Sequence, residues 1–273
     1  MPPSWDVFTV YHTFLWDSRR FFLYFCNAVC YNGEKATAVM TMKIGLFSDP
    51  HYSSQELTCG NRRNNLSLGK MRDALRYFEA QGCDRVICLG DLTDSETTKE
   101  QEIANMGEIA ALFAACPLPI SVVMGNHDAY VFTAEEFYDL LGGCRPVDIH
   151  EESLHLLFLD TNYTAEGVRY TPHGFHWYDV SLPDPDGLQA KLAACDGDVY
   201  LFMHQNIDPA IPAADHRLAN ADEVCAIIED SGKVRAVYQG HYHWGNRSHR
   251  GGVEYITLPA MAVYDDTCEI IEV

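Results

Sequence analysis

The chain has 273 residues, 47% of them hydrophobic and 21% charged, a composition that excludes disorder. At this length a chain buries roughly 70% of its unfolded surface, so neither disulfides nor a structural metal are needed for folding. Nineteen Lys and Arg against 39 Asp and Glu give a net charge of −20, which disfavours duplex DNA and anionic membranes as partners. A small anionic substrate is compatible with this charge if divalent cations reverse the local field.

Residues 1–41 crowd aromatics between Phe8 and Tyr31, with Asp17, Arg19 and Arg20 among them. A membrane helix needs about 20 predominantly apolar residues, and a secretory leader carries its basic residues ahead of the apolar run. Neither pattern fits, and the segment is expected to be an extension with no part in the chemistry. The folded domain is expected over 42–273, opening at Met42-Lys43-Ile44-Gly45-Leu46-Phe47.

From there strands and helices alternate. Ile44 to Ser48 reads as a strand, Leu68 to Gln81 as a helix by its apolar spacing, and Arg85 to Leu89 as a strand closed by Gly90. Glu96 to Ala115 reads as a helix, Ile120 to Met124 as a strand, and Thr133 to Leu141 as a helix opened by a Thr133/Glu136 capping box. Strands follow at Leu154 to Asp160, Val199 to His204, Val234 to Gln239, Val253 to Leu258 and Glu269 to Val273. Helices are expected at Gly187 to Ala194 and Ala221 to Ser231, and Pro183, Pro185 and Gly187 read as a turn. The ten cysteines are scattered without a Cys-x-x-Cys, several of them inside apolar runs such as Val86-Ile87-Cys88-Leu89. They read as buried free thiols, which implies a reducing, cytoplasmic compartment.

The chemistry lies where strands end. Asp49-Pro50-His51, Gly90-Asp91-Leu92-Thr93-Asp94, Gly125-Asn126-His127-Asp128, His204 and Gly240-His241-Tyr242-His243 each follow an apolar run. In an α/β sheet the carboxyl ends of the strands form one rim, so clusters distant in sequence meet there. Carboxylate, amide oxygen and imidazole without cysteine is the donor set of hard and borderline divalent metals. Asp49 and His51, like His241 and His243, stand two apart, which places both of a pair on one side of an extended segment. Gly90, Gly125 and Gly240 are expected where the backbone turns sharply off a strand. A lone Asp-x-His or His-x-His is ordinary loop chemistry; the order and placement of all five clusters is not.

This series resembles the calcineurin-like metallophosphoesterase superfamily over roughly residues 42–260. The Gly-Asn-His-Asp run and the Asp-x-His opening are similar to its phosphodiester-cleaving branch. Phe202-Met203-His204-Gln205, Asn220-Ala221-Asp222 and Gln239-Gly240-His241-Tyr242-His243 are similar to the ADP-ribose and CDP-alcohol diphosphatase type. Ser95-Glu96 after Asp94 replaces the Arg-Gly pair of the protein phosphatases, which argues against a phosphoprotein substrate.

The resemblance implies an α/β fold, a two-layer mixed β-sheet sandwich flanked by helices, holding two divalent metals drawn from Mn, Fe, Zn and Mg. Asp49, His51, Asp91 and His243 would bind the first; Asp91, Asn126, His204 and His241 the second, with Asp91 shared. A hydroxide held between them would be the nucleophile. His127 is then left to protonate the leaving alkoxide, its ring oriented by Asp94 or, less favoured, Asp128. Arg62, Arg63, Arg247, His249 and Arg250 could hold a second phosphate. The expected activity is hydrolysis of phosphodiester or diphosphate bonds in small nucleotide-type or cyclic-nucleotide substrates. Phosphomonoester hydrolysis and a non-catalytic metal-binding scaffold are the alternatives. An exonuclease is disfavoured by the charge.

Overall fold

The computed structural model describes residues 41–273 apart from 96–97 and 171–176; the N-terminal extension falls outside the described residues. In chain order the elements are β1 (Lys43–Phe47), α1 (Ser67–Ala80), β2 (Arg85–Cys88), α2 (Lys99–Ala114), β3 (Ile120–Val122), α3 (Asn126–Val131), α4 (Ala134–Leu140), β4 (Ile149–Glu151), β5 (Leu154–Phe158), α5 (Pro185–Ala194), β6 (Asp198–Phe202), α6 (Ala221–Ser231), β7 (Val234–Gln239), β8 (Asn246–Arg250), β9 (Val253–Thr257) and β10 (Glu269–Glu272). They build two mixed sheets, one ordered β10-β1-β2-β3 and the other β4-β5-β6-β7-β9-β8. Only β10, β4 and β8 run antiparallel to their neighbours.

Strand alternation sets the layering. Ile44, Leu46, Ile87 and Leu89 meet Phe202, Tyr238 and Ile256 between the two sheets. Their alternates Phe47, Val86 and Cys88 join Met71 and Phe78 of α1 and Met106 of α2 in the outer core. Both faces of each sheet are thus covered, which is why the central strands read as continuous apolar runs. Gly45 lies beneath α1, where an added Cβ would stand 2.4 Å from the Phe78 ring. Gly45→Ala is therefore expected to cost about 1–3 kcal/mol, as overpacked cores do, seen as a lower urea midpoint with an unchanged slope.

Three elements were not legible in the sequence. β8 is Asn-Arg-Ser-His-Arg, a polar edge strand made by its backbone pairing to β9 rather than by apolar side chains. β4 is a three-residue edge strand on β5. α3 begins inside the Gly-Asn-His-Asp run, where the Asp128 carboxylate accepts the Gly125 N–H at 3.0 Å. The residues read as a turn instead open α5, with Pro185 in the first helical turn and Asp184 accepting the Gly187 N–H at 2.8 Å. α2 starts at Lys99 after its cap Thr98; the expected start, Glu96, lies outside the described residues. The capping box at α4 is formed as expected, Thr133 and Glu136 exchanging hydrogen bonds of 3.0 and 3.2 Å. No helix among the described residues is long and apolar enough to cross a membrane.

Candidate metal centre

The five clusters meet on one rim, and both sheets supply it. β1, β2 and β3 deliver Asp49 and His51, Asp91, and Asn126; β6 and β7 deliver His204, and His241 and His243. Bonds across the two sheets lock the rim together. His204 Nδ1 donates to the Leu89 carbonyl at 2.7 Å, and the His241 N–H donates to the Asp49 carboxylate at 3.1 Å. Asp49, His51, Asp91 and His241 all have left-handed backbones, with φ of 52°, 44°, 53° and 66°, a conformation that costs free energy in any residue but glycine.

Two glycines serve a different purpose from the one expected. Of Gly90, Gly125 and Gly240, Gly90 alone has a positive φ, 104°. At Gly125 an added Cβ would lie 2.1 Å from Asp91 Oδ1, and at Gly240 it would lie 2.6 Å from Asp49 Oδ2. Gly125 makes room for the Asp91 carboxylate, and Gly240 for the Ser48 hydroxyl together with the Asp49 carboxylate, rather than for a sharp turn. Gly125→Ala should therefore displace Asp91 and lower metal content along with turnover, measured by elemental analysis of the purified variant.

Asp49, His51 and His243 bring one donor atom each within 4.8 Å of one another, and so do Asp91, His204 and His241. Asp91 stands between the groups. Its Oδ1 accepts the His127 N–H at 2.8 Å, while its Oδ2 lies 3.2 Å from His204 Nε2 and 3.6 Å from His51 Nε2. The Asn126 amide oxygen is 3.0 Å from His204 Nε2, and His51 Nε2 is 3.0 Å from His243 Nε2.

The electrostatics suit a cation. Burial, with Arg62 and His127 beside it, holds His51 well below the usual histidine range; burial and His204 do the same to His241. Both rings are therefore neutral, as ligands must be. Burial opposes ionisation of Asp91, but His204, His127 and His51 hold its carboxyl well below the usual range. Burial likewise opposes a charged His204, yet Asp91 carries it up to about 9. The folded chain thus draws a positive charge to this point by its own arrangement. Oxygen and nitrogen donors, buried carboxylates and neutral imidazoles fit divalent metals of the Mn, Fe, Zn or Mg kind.

The residues expected around His127 are arranged otherwise. His127 Nδ1 meets the Asp94 backbone carbonyl at 2.6 Å and Ser95 Oγ at 2.9 Å. The Asp94 carboxylate accepts from Thr58 Oγ1 and Arg62 Nη1 at 2.6 and 2.7 Å and lies 3.2 Å from His51 Nδ1. Burial pushes the Asp94 carboxyl up despite the opposing bonds from Thr58 and Arg62. Asp128 points into the fold, accepting backbone N–H groups from Leu92, Thr93 and Gly125. The ring of His127 is therefore oriented by a backbone carbonyl, and Asp128 is a structural residue. Of the basic candidates Arg62 alone lines the cleft. Arg63, Arg247, His249 and Arg250 pair with Asp265, Glu269, Glu254 and Glu229.

The cleft over this centre has a volume of about 420 Å³ and is lined also by Asn61, Trp177, His216 and Trp244. Nothing in the sequence marks Asn61 or His216. Trp244 directly follows His243, and that adjacency was a usable signal.

A family model for the calcineurin-like phosphoesterase matches residues 42–245. A "Probable cyclic nucleotide phosphodiesterase" of Psychrobacter arcticus is 25% identical over 192 residues, which span 65% of this chain and 63% of that protein. A dimetal phosphatase from Danio rerio shares the fold with a TM-score of 0.69 at 18% identity, covering 81% of this chain and 88% of its own. A Thermus thermophilus structure shares it with a TM-score of 0.51 at 13% identity, covering 82% and 91%.

Proposed function

Because the chain belongs to the calcineurin-like phosphoesterase family, we propose that this metallophosphoesterase hydrolyses phosphodiester or diphosphate bonds in small molecules of nucleotide or cyclic-nucleotide type. One observation carries the reading: a single carboxylate oxygen of Asp91 faces His204 on one side and His51 on the other. Asp49, His51, Asp91 and His243 would hold one metal, and Asp91, Asn126, His204 and His241 a second. Such a pair supplies a water of lowered pKa and neutralises charge on phosphoryl oxygens.

The chain's own residues do the rest. The Asp94 carbonyl can only accept, so His127 carries its proton on Nδ1 and presents Nε2 as the remaining ring nitrogen of a side chain that lines the cleft. A second proton on Nε2 can pass to the departing oxygen. Arg62, fixed by Asp94, brings a permanent positive charge to the same cleft and is suited to a non-reacting phosphate or a phosphoryl oxygen. The net charge of −20 favours a small phosphorylated substrate over nucleic acid or membrane, and the scattered cysteines favour a cytoplasmic setting.

The test is a panel of cyclic nucleotides, ADP-ribose, CDP-choline, glycerophosphodiesters and a phosphomonoester. It is run on protein stripped with a chelator and again after manganese is restored. Turnover should vanish on stripping, return with the metal, and favour a diester or diphosphate. Preference for the monoester would make the protein a phosphomonoesterase, and metal uptake without turnover would leave a scaffold.

A further inference from the structure

Beside the candidate metal centre the cleft has an aromatic wall that hydrolysis alone does not require. Trp177 precedes the bridge at Ser181, His216 sits in the helical turn 214–216, and Trp244 lies between β7 and β8. These three distant segments converge on one point. The Trp177 ring centroid is 5.1 Å from that of His216 and 5.3 Å from that of His241; His216 is 5.3 Å from His241 and 6.4 Å from Trp244. Tyr242 backs Trp244 at 5.1 Å. The wall therefore continues directly from His241 towards solvent.

Two features distinguish it from a shield over the ligands. The Trp244 side chain is 60% exposed, although an indole is among the most strongly apolar groups a surface can carry. Every ring pair within the wall meets edge-on or tilted, with interplanar angles of 45–87°, so no pair is stacked face to face. A flat ring entering the cleft can supply that stacking. Asn61 and Arg62 contribute polar groups to the same cleft, so a planar heterocycle with hydrogen-bonding edges is matched better than a plain hydrocarbon. Base–aromatic stacking of this kind tolerates any base, because each has a π face.

We infer that Trp177, His216 and Trp244 form a base-stacking subsite that selects phosphate esters carrying a nucleobase-like aromatic ring and holds that ring next to the metal centre. The inference rests on the proposed reading of the cleft and adds to it the group that is recognised. It makes the three side chains specificity-determining residues, distinct from those that would hold metal or move a proton.

The experiment compares adenosine 5′-monophosphate with ribose 5-phosphate, which differ only by the base, as ligands of manganese-loaded protein. Calorimetry gives the affinities, and quenching of tryptophan emission reports contact with an indole. The nucleotide should bind roughly 10- to 100-fold more tightly, the range of one stacked base, and should alone quench emission. In Trp244→Ala and Trp177→Ala the ratio of the two affinities should fall towards one, while Trp244→Phe should keep most of it. Equal affinities in the unaltered protein, or a ratio unmoved in both alanine variants, would overturn the subsite while leaving the hydrolase reading intact. If neither phosphate binds and manganese is not retained, the metal-centre reading falls and the subsite falls with it.

Discussion

Asp91→Ala is expected to strip the protein of both metals and to lower hydrolysis at least about 10³-fold. Metal ions contribute several kcal/mol of transition-state charge stabilisation, and three decades of rate correspond to about 4 kcal/mol. Asp91 is placed to act on both clusters at once, because its Oδ2 lies against His204 and His51 together. The variant also deprives the His127 N–H of its acceptor, so its fold needs checking. Asp91→Asn preserves shape and an acceptor while removing the charge, and should be nearly as inactive with an intact circular dichroism spectrum. Two metals per chain and near-normal turnover in the alanine variant would refute the shared-ligand assignment.

His127→Ala should retain both metals and slow diesters with poor alkoxide leaving groups by roughly 10²- to 10⁴-fold, the usual contribution of general acid catalysis. Bis-p-nitrophenyl phosphate should be far less affected, since nitrophenolate departs without a proton. The geometry sharpens the test. His127 is held through Nδ1 by the Asp94 carbonyl and Ser95 Oγ, and an asparagine amide can occupy the Nδ1 position without offering anything at Nε2. His127→Asn should therefore be as slow as the alanine variant on unactivated diesters. Equal slowing of activated and unactivated substrates would assign His127 to phosphate binding or to support of Asn126, and the acid role would be abandoned.

The rim was legible in the sequence because strand-end placement is a local signal. An apolar run followed by Gly-Asp or Gly-Asn-His-Asp states where the chain leaves a strand and what it carries there. What the sequence withheld are relations between distant segments. Gly125 and Gly240 looked like turn glycines, and only the close approach of Asp91 to one and of Ser48 and Asp49 to the other reveals them as gaps left for side chains. Asp94 was favoured over Asp128 as the acid beside the His127 ring. The fold buries Asp128 against backbone N–H groups and turns the Asp94 side chain to Thr58 and Arg62, leaving its carbonyl for His127. The basic residues of β8 looked available for phosphate, but Glu269 of β10, Glu254 of β9 and Glu229 of α6 pair with them.

The left-handed residues of the centre bear on how this protein would respond to selection. A non-glycine residue in such a conformation costs of order 1–3 kcal/mol, and glycine relieves that strain, less the entropy it adds to the unfolded chain. At His51 and His241, whose rings accept no backbone N–H among the described residues, a screen for heat resistance alone would therefore reward the loss of ligands, whereas Asp49 and Asp91 accept backbone N–H groups that glycine would leave unpaired. Variants that survive higher temperatures by this route should carry glycine or asparagine at the two histidines and be catalytically dead. Directed evolution towards robustness must accordingly retain an activity gate, or it will improve the scaffold by erasing its centre.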